Sequence, residues 1–396
     1  MRSISVYTEE IDDLETAAKD LADKISNGLE LCKNTCAIMF CDIEADEQEF
    51  ISEFRKYYDF PILGATSVAM LSSDVGYADI GISLLVLTAD DCEFNVGITE
   101  EINFDNAEVC IRNEYDRLKS LSKYEEEKLI VTYAPVMNDF VGDDIVKCFN
   151  SISQAPLFGG MASDGFTIKD NRVFLNGESS QNRVVMLLIS GNIRPVFQHE
   201  YTIINTKDVM HTVTKSDRNI VYEMEGEKFL DVLARTGVNI NEEDAYLSFI
   251  GTVFETMVDV GNNEKISVMR DLNTLNIEEK SGTFLGNVAV GSKMRLCLLN
   301  KDDIYNSVKR SFVDVVEQMN AIKDYEYSTF LVSSCAGRFL LLSTEPDAET
   351  KAYADMLPKT IALAGFYSYG EICPTYIGPD SRFNVFHNKT FTMVAF

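Results

Sequence analysis

The chain has 396 residues, 46% of them hydrophobic, enough for two or three sizeable cores at roughly 150 residues per domain. Its 35 Lys and Arg against 63 Asp and Glu leave a formal charge of −28, which repels phosphate backbones and anionic headgroups and excludes nucleic acid and membrane surfaces as natural partners. Nine cysteines, odd in number and irregular in spacing, fit reduced buried thiols better than a disulfide framework.

The first residues, Met1-Arg2-Ser3-Ile4-Ser5-Val6-Tyr7-Thr8, read as leading straight into an acidic helix, without the apolar core of a signal peptide. No apolar run approaches the ~20 residues of a spanning helix, so a cytoplasmic location without membrane insertion is expected. From Glu9 to Asn27, Ile11, Leu14, Ala18, Leu21, Ala22 and Ile25 share one helical face, with Thr8 placed to cap it and Gly28 to end it. Cys32, Cys36 and Cys41 cluster next, but no His stands nearby to complete a zinc set, so no metal is expected.

A unit then appears: an apolar strand from Cys36 to Cys41, a helix near 46–57, the turn-like Pro61-Ile62-Leu63-Gly64-Ala65-Thr66-Ser67, and strand-like runs at 77–88 and 93–98. It returns as a strand at 128–134, a helix at 139–153, the turn Pro156-Leu157-Phe158-Gly159-Gly160-Met161-Ala162-Ser163-Asp164, and strands at 172–175, 184–189 and 196–205. A third instance has a strand at 328–334, a helix near 347–357, Pro358, and then Ala364-Gly365-Phe366-Tyr367-Ser368. Proline stops each helix and glycine frees the returning backbone. Helical crossovers favour parallel pairing and short loops antiparallel pairing, so mixed sheets are expected. The fold class that follows is mixed α/β: two domains of repeated strand-helix-turn-strand-strand units with covering helices. Polar loops place the boundary near Glu225, giving domains 1–225 and 226–396, with a helix opening the second at 228–235. The stretch 302–319 carries Ile304, Val308, Phe312, Val315, Val316 and Met319 on one face, a core-packing helix.

The search for catalytic constellations is largely negative. The three histidines, His199, His211 and His387, form no metal or nucleophile motif, and no Gly-x-Ser-x-Gly elbow, His-Glu-x-x-His pair, Walker loop or dinucleotide fingerprint occurs. Phe158-Gly159-Gly160 lacks the lysine of a phosphate loop, and a tight strand-end turn explains it better.

Near the C-terminus, Gly365-Phe366-Tyr367-Ser368-Tyr369-Gly370-Glu371-Ile372-Cys373-Pro374 sets a carboxylate in apolar strand between glycines that let backbone pass close to something. Glu371 needs a partner if buried, and Arg338 in Cys335-Ala336-Gly337-Arg338 is the first one to name, either as an ion pair bracing the sheet or as part of a ligand site. Phe386-His387-Asn388-Lys389-Thr390 follows. Read as one strand, it puts Asn388 and Thr390 on the face of Phe386, Thr392 and Val394, inward beside Glu371 or outward on an edge. Tyr367 and Tyr369 flank Ser368, so that one of the two rings could floor a pocket, the alternative being ordinary sheet packing.

These blocks resemble the C-terminal signature of FIST proteins, a family of intracellular sensory domains with a Gly-Phe-x-x-x-Gly-Glu-Ile block, a Cys-x-Gly-Arg segment and a final strand carrying Asn-x-Thr. The resemblance extends over nearly the whole chain. It implies an N-terminal and a C-terminal FIST domain and a non-enzymatic small-ligand sensor, with amino acids or related metabolites as ligand and a separate protein as output partner. The ligand-binding candidates are Gly159, Gly160, Asp164, Cys335, Arg338, Gly365, Tyr367, Gly370, Glu371, Asn388 and Thr390. Some FIST-like proteins bind haem to sense nitric oxide, which would make His387 an axial-ligand candidate against its plainer reading as a surface or half-buried histidine. An enzyme using Glu371, Arg338 and Cys335 is the remaining alternative; no cofactor is expected for the sensor itself.

Overall fold

A computed structural model describes residues 1–137, 140–204, 209–237, 240, 249, 251–261, 264–376 and 382–396, with the side chains of 203 and 204 left aside. Three times the chain runs strand, helix, strand, helix, strand, hairpin, strand. The first pass uses Arg2–Thr8, Leu14–Gly28, Asn34–Cys41, Glu47–Phe54, Ile62–Thr66, the hairpin Met70–Ser72 and Gly76–Ala78, and Ile82–Ala89. The second uses Cys92–Ile98, Ala107–Leu121, Glu127–Ala134, Gly142–Ile152, Leu157–Met161, the hairpin Val173–Leu175 and Glu178–Ser180, and Val185–Gly191. The third begins with Val196–Tyr201 and resumes at Lys301–Ala321, then Thr329–Cys335, two short helices (Ala336–Leu341 and Ala348–Tyr353), Ala362–Ser368, the hairpin Glu371–Tyr376 and Arg382–His387, and Thr390–Ala395.

Each repeat builds a mixed six-stranded sheet in one order: its first strand, its last, its second, its third, and then a hairpin. The second and third strands, joined by a helix, pair in parallel in all three sheets, and the other neighbours are antiparallel. The fold is therefore mixed α/β, built from repeated units with mixed sheets and covering helices, as the sequence indicates. The hairpin is never the repeat's own. Hairpin 70–78 extends the third sheet, 173–180 the first, and 371–387 the second, a cyclic exchange among the repeats.

The proline-marked segments read as turns are themselves the third strands. Each carries a glycine against the backbone of the second strand: a Cβ at Gly64 would lie 1.9 Å from the Met39 carbonyl oxygen, at Gly159 1.8 Å from that of Thr132, and at Gly365 2.7 Å from Val332 Cβ. One position further on, each strand pair supplies a single large ring. Phe40, Tyr133 and Phe366 meet where the repeats converge, with centroids 5.4, 4.6 and 5.3 Å apart.

Three further readings are corrected. The N-terminus is a strand, Arg2–Thr8, paired along its whole length with Ile82–Ala89, because its alternating β-branched and aromatic side chains have a core to cover. The helix behind it begins at Leu14 and is capped by Asp13, whose carboxylate accepts the Thr16 N–H at 3.1 Å, and not by Thr8. Phe386 to Val394 is not one strand: Lys389, at φ +57°, turns the chain from the second sheet into the third.

Between Val196–Tyr201 and Lys301–Ala321 the third repeat carries an inserted nine-stranded sheet spanning residues 203–299. Its core is the ring trio Phe229, Phe254 and Phe284 with Val213, Val221 and Met294. Glu225 lies inside this sheet at a left-handed turn, φ +52°, and the strands on its two sides, Ile220–Met224 and Glu227–Lys228, pair with each other. Among the described residues no helix is long and apolar enough to cross a membrane.

Candidate ligand site

Glu371 opens the hairpin strand at the junction of the second and third sheets and is fully buried. Its carboxyl accepts hydrogen bonds from the Ser368 hydroxyl at 2.8 Å, the Thr390 hydroxyl at 2.5 Å and the Thr390 N–H at 3.2 Å. Burial outweighs these donors and pushes it up to about 8. Thr390 thus lies inward beside Glu371, one of the two arrangements the sequence left open.

Arg338 does not pair with Glu371. Its side chain runs beneath the long helix Lys301–Ala321, donates to Glu349 at 2.8 Å and to the hydroxyls of Thr202 and Ser307 at 2.7 and 3.1 Å, and both ions are fully buried. The reason is local: the helix Ala336–Leu341 turns Arg338 toward Glu349 on the following helix, while Glu371 finds donors within its own turn and on the adjoining strand. Of the proposed catalytic trio, Glu371, Arg338 and Cys335, only Cys335 lines the cavity described below.

The remaining candidates sort by what they touch. Gly159 and Gly365 let paired strands approach. A Cβ on Gly160 would lie 2.7 Å from the Gly370 carbonyl oxygen, and one on Gly370 2.2 Å from the Phe386 ring, so both serve packing at the sheet junction. Tyr367 is buried with its ring 5.2 Å from that of Phe339. Asp164 accepts hydrogen bonds from the Thr167, Ile168, Lys169 and Asp170 N–H groups and from the Thr167 and Tyr369 hydroxyls. Burial acts to raise it, but the Tyr369 hydroxyl and these backbone donors win and hold it at about 2. Asp164 therefore shapes the loop 164–170.

His387 is not a surface group. It is fully buried, its ring lies 4.7 Å from that of His199, Nδ1 meets the Tyr201 hydroxyl at 2.5 Å, and Nε2 faces the Thr375 hydroxyl and the Cys373 carbonyl at 3.3 Å each. Desolvation holds it well below the ordinary histidine range. Fully buried and with both nitrogens engaged, His387 does not fit an axial haem ligand.

A half-open cavity lies elsewhere, between the three-repeat body and the inserted sheet. It measures about 260 Å³ and is bounded by the loop residues Phe166 and Ile168, by Cys335, Gly337 and Leu340 at the start of the short helix, by Tyr369, and by 271–275 and Leu285 of the inserted sheet. Its wall carries the ion pair of Lys389 and Asp271 at 2.9 Å, with side chains only 3% and 16% exposed. Burial raises the Asp271 carboxyl and Lys389 opposes this. The Cys335 thiol is also pushed up by burial, with Glu371 and Asp271 adding to this and Lys389 opposing it. Asn388 stands behind the pair, its Oδ1 accepting the Asp271 N–H at 3.2 Å.

The sequence candidates thus mark the walls' supports more than the walls. Of the two tyrosines read as a possible pocket floor, Tyr369 lines the cavity; sequence reasoning missed Lys389, Asp271 and Gly337. A signal for two of them was present: a lysine in an otherwise apolar segment, and a glycine in the Cys-x-Gly-Arg block, where a Cβ would lie 2.1 Å from Lys389 Nζ.

Comparison with protein-family models matches residues 35–227 to the FIST N domain and residues 230–374 to the FIST C domain. The chain belongs to the FIST family, whose domains are associated with sensory signal transduction. No curated protein matches it in sequence.

Proposed function

We propose that the chain is a non-enzymatic cytoplasmic sensor that binds a small metabolite, an amino acid or a related compound, in the cavity between the repeats and the inserted sheet, and passes its occupancy to a separate protein. One observation carries the reading. The mostly apolar cavity, with the Lys389–Asp271 ion pair on its wall, is lined from both matched segments, Phe166 and Ile168 from one and Leu272, Leu275 and Cys335 from the other, so a ligand there touches both. Such a ligand changes how the inserted sheet sits on the body, a coupling a sensor requires.

The test is thermal unfolding by circular dichroism with metabolite pools. A ligand at about a hundred times its dissociation constant adds about 2.7 kcal/mol and raises the midpoint by several degrees. The expected shift disappears in Leu275→Trp, which fills the cavity. A shift that persists in that variant places the ligand elsewhere and refutes the assignment.

A further inference from the structure

We infer that the loop 164–170 is the gate of the cavity, with the Asp164 carboxylate as its latch and Tyr369 as the wall residue that holds the latch. The inference rests on the cavity being the ligand site and adds how that site opens. Among the described residues that line it, 272–275 belong to a strand of the inserted sheet and Ala336, Gly337 and Leu340 to a helix. Phe166 and Ile168 stand instead in a loop without regular structure, between the strands Leu157–Met161 and Val173–Leu175. Both are half-buried, and Gly165, Thr167, Lys169 and Asp170 beside them are exposed, so this stretch is the part of the wall that faces solvent.

The loop is held shut by one group and strained by two. Asp164 is fully buried, and its carboxylate accepts six hydrogen bonds: the N–H groups of Thr167, Ile168, Lys169 and Asp170, the Thr167 hydroxyl, and the Tyr369 hydroxyl at 2.6 Å. Against these, Phe166 at φ +65° and Ile168 at φ +56° lie in the left-handed region, which is unfavourable for a large side chain and most so for a β-branched one. Charge-assisted hydrogen bonds close the loop and backbone strain favours its release. A shut state balanced in this way opens locally, without unfolding of the body.

Tyr369 connects the latch to the cavity. Its ring lines the space, 6.3 Å from that of Phe166, while its hydroxyl holds Asp164, so a ligand that moves the ring pulls on the latch. Phe166 in turn stacks on Phe339 of the helix Ala336–Leu341, with centroids 6.0 Å apart and planes at 11°, a contact that seats the shut loop. The opposite wall is clasped. Arg270 donates to Asp143 at 2.5 Å and to the Phe386 carbonyl at 3.0 Å, and Asn287 donates to Asp143 and Asp144 at 2.7 and 2.8 Å. The route in and out therefore runs past the loop rather than between the body and the inserted sheet.

Cys335 reports the opening without any ligand. Its thiol lines the cavity, is 2% exposed and is pushed up by burial, so it reacts with an alkylating reagent when the wall opens to water. The experiment is labelling of the full chain with iodoacetamide at neutral pH, read at each cysteine by peptide mass spectrometry, in wild type, Tyr369→Phe and Asp164→Ala. It is repeated across urea concentrations below the unfolding transition, with the fully buried Cys36 of the first repeat as the measure of unfolding. Opening a loop exposes little surface, so the Cys335 rate is expected to stay nearly flat in urea while the Cys36 rate climbs steeply. Tyr369→Phe keeps the ring and removes one hydrogen bond to the carboxylate, which should speed Cys335 labelling by about tenfold. Asp164→Ala removes all six and should speed it further, with the flat urea dependence kept. If Asp164→Ala does not fold, Tyr369→Phe decides alone. A Cys335 rate that climbs with urea in parallel with Cys36, or one that neither substitution changes, overturns the gate. The Leu275→Trp experiment decides separately whether the cavity is the ligand site.

Discussion

Replacing Glu371 with Gln should make the protein more stable at alkaline pH. Burial raises the native carboxyl to about 8 from the ordinary glutamate value of 4.5. Below the lower value both native and unfolded chains hold the proton, and the stability the group contributes is fully present. Between the two values the native state holds a proton the unfolded state has released, so stability falls by about 1.4 kcal/mol per pH unit and the contribution is gone once pH passes about 8. Across the window this amounts to something on the order of 5 kcal/mol. Gln fills the same volume, its amide oxygen can accept from Ser368 or Thr390, and it does not titrate. Urea midpoints read by far-UV circular dichroism at pH 5, 6, 7 and 8 should therefore decline more steeply for wild type than for the variant, the chain having no Trp for a fluorescence readout. The difference between the two proteins cancels His199 and His387, whose buried neutral rings push stability in the opposite direction as pH rises. A wild-type-minus-variant difference that is flat across these four values would show that Glu371 is ionised in the fold and would refute the reasoning.

Gly159→Ala should abolish recovery of folded protein, since its Cβ would lie 1.8 Å from the Thr132 carbonyl oxygen, whereas Gly226→Ala, facing open space at φ +79°, should cost only about 1 kcal/mol in a denaturant titration. Arg338→Met alone should destabilise by about 3–5 kcal/mol because it strands a buried Glu349, and the double variant with Glu349→Leu should recover much of that loss; equal losses in single and double variants would contradict the pairing. Haem added to wild type and to His387→Leu should give the same absorption spectrum, and a Soret band lost in the variant would show that the histidine leaves its hydrogen bonds to ligate iron.

Much of the repeat architecture is legible in sequence because its second strands are buried on both faces and appear as largely apolar runs, as in Cys36 to Cys41 and 129–134, each followed by an amphipathic helix and a proline. The helix Ala107–Leu121 escapes notice because its buried stripe is thin, limited to Ala107, Ile111, Tyr115 and Leu118. The exchange of hairpins leaves no mark in local sequence, since nothing in 70–78 or 371–387 says which sheet edge it will join. The cavity residues are harder still. Lys389 is hidden when 386–394 is taken as one strand, and Asp271 belongs to a sheet whose strands alternate polar and apolar side chains without a strong motif. Arg338 and Glu371 are both buried, the arrangement of Glu371 that the sequence left open, but which carboxylate meets which guanidinium is decided by helix placement that residue types do not encode.

The exchanged hairpins also bear on how the chain comes into being. On a ribosome, only the first sheet has all its strands once residue 180 has emerged; the second waits for residue 387 and the third for residue 395. Until then the strands Val173–Leu175 and Glu178–Ser180 have a home, but Met70–Ser72 and Gly76–Ala78 do not, and Leu157–Met161 presents an unpaired edge. The two matched segments consequently behave as one folding unit: expressing 35–227 alone would leave a sheet edge without its 371–387 partner, and expressing 230–374 alone would leave Ala362–Ser368 without its 70–78 partner. A chain threaded in this way resists being cut, shuffled or fused at its middle, and any change at the inserted sheet is felt by a body whose every sheet is held closed by another repeat.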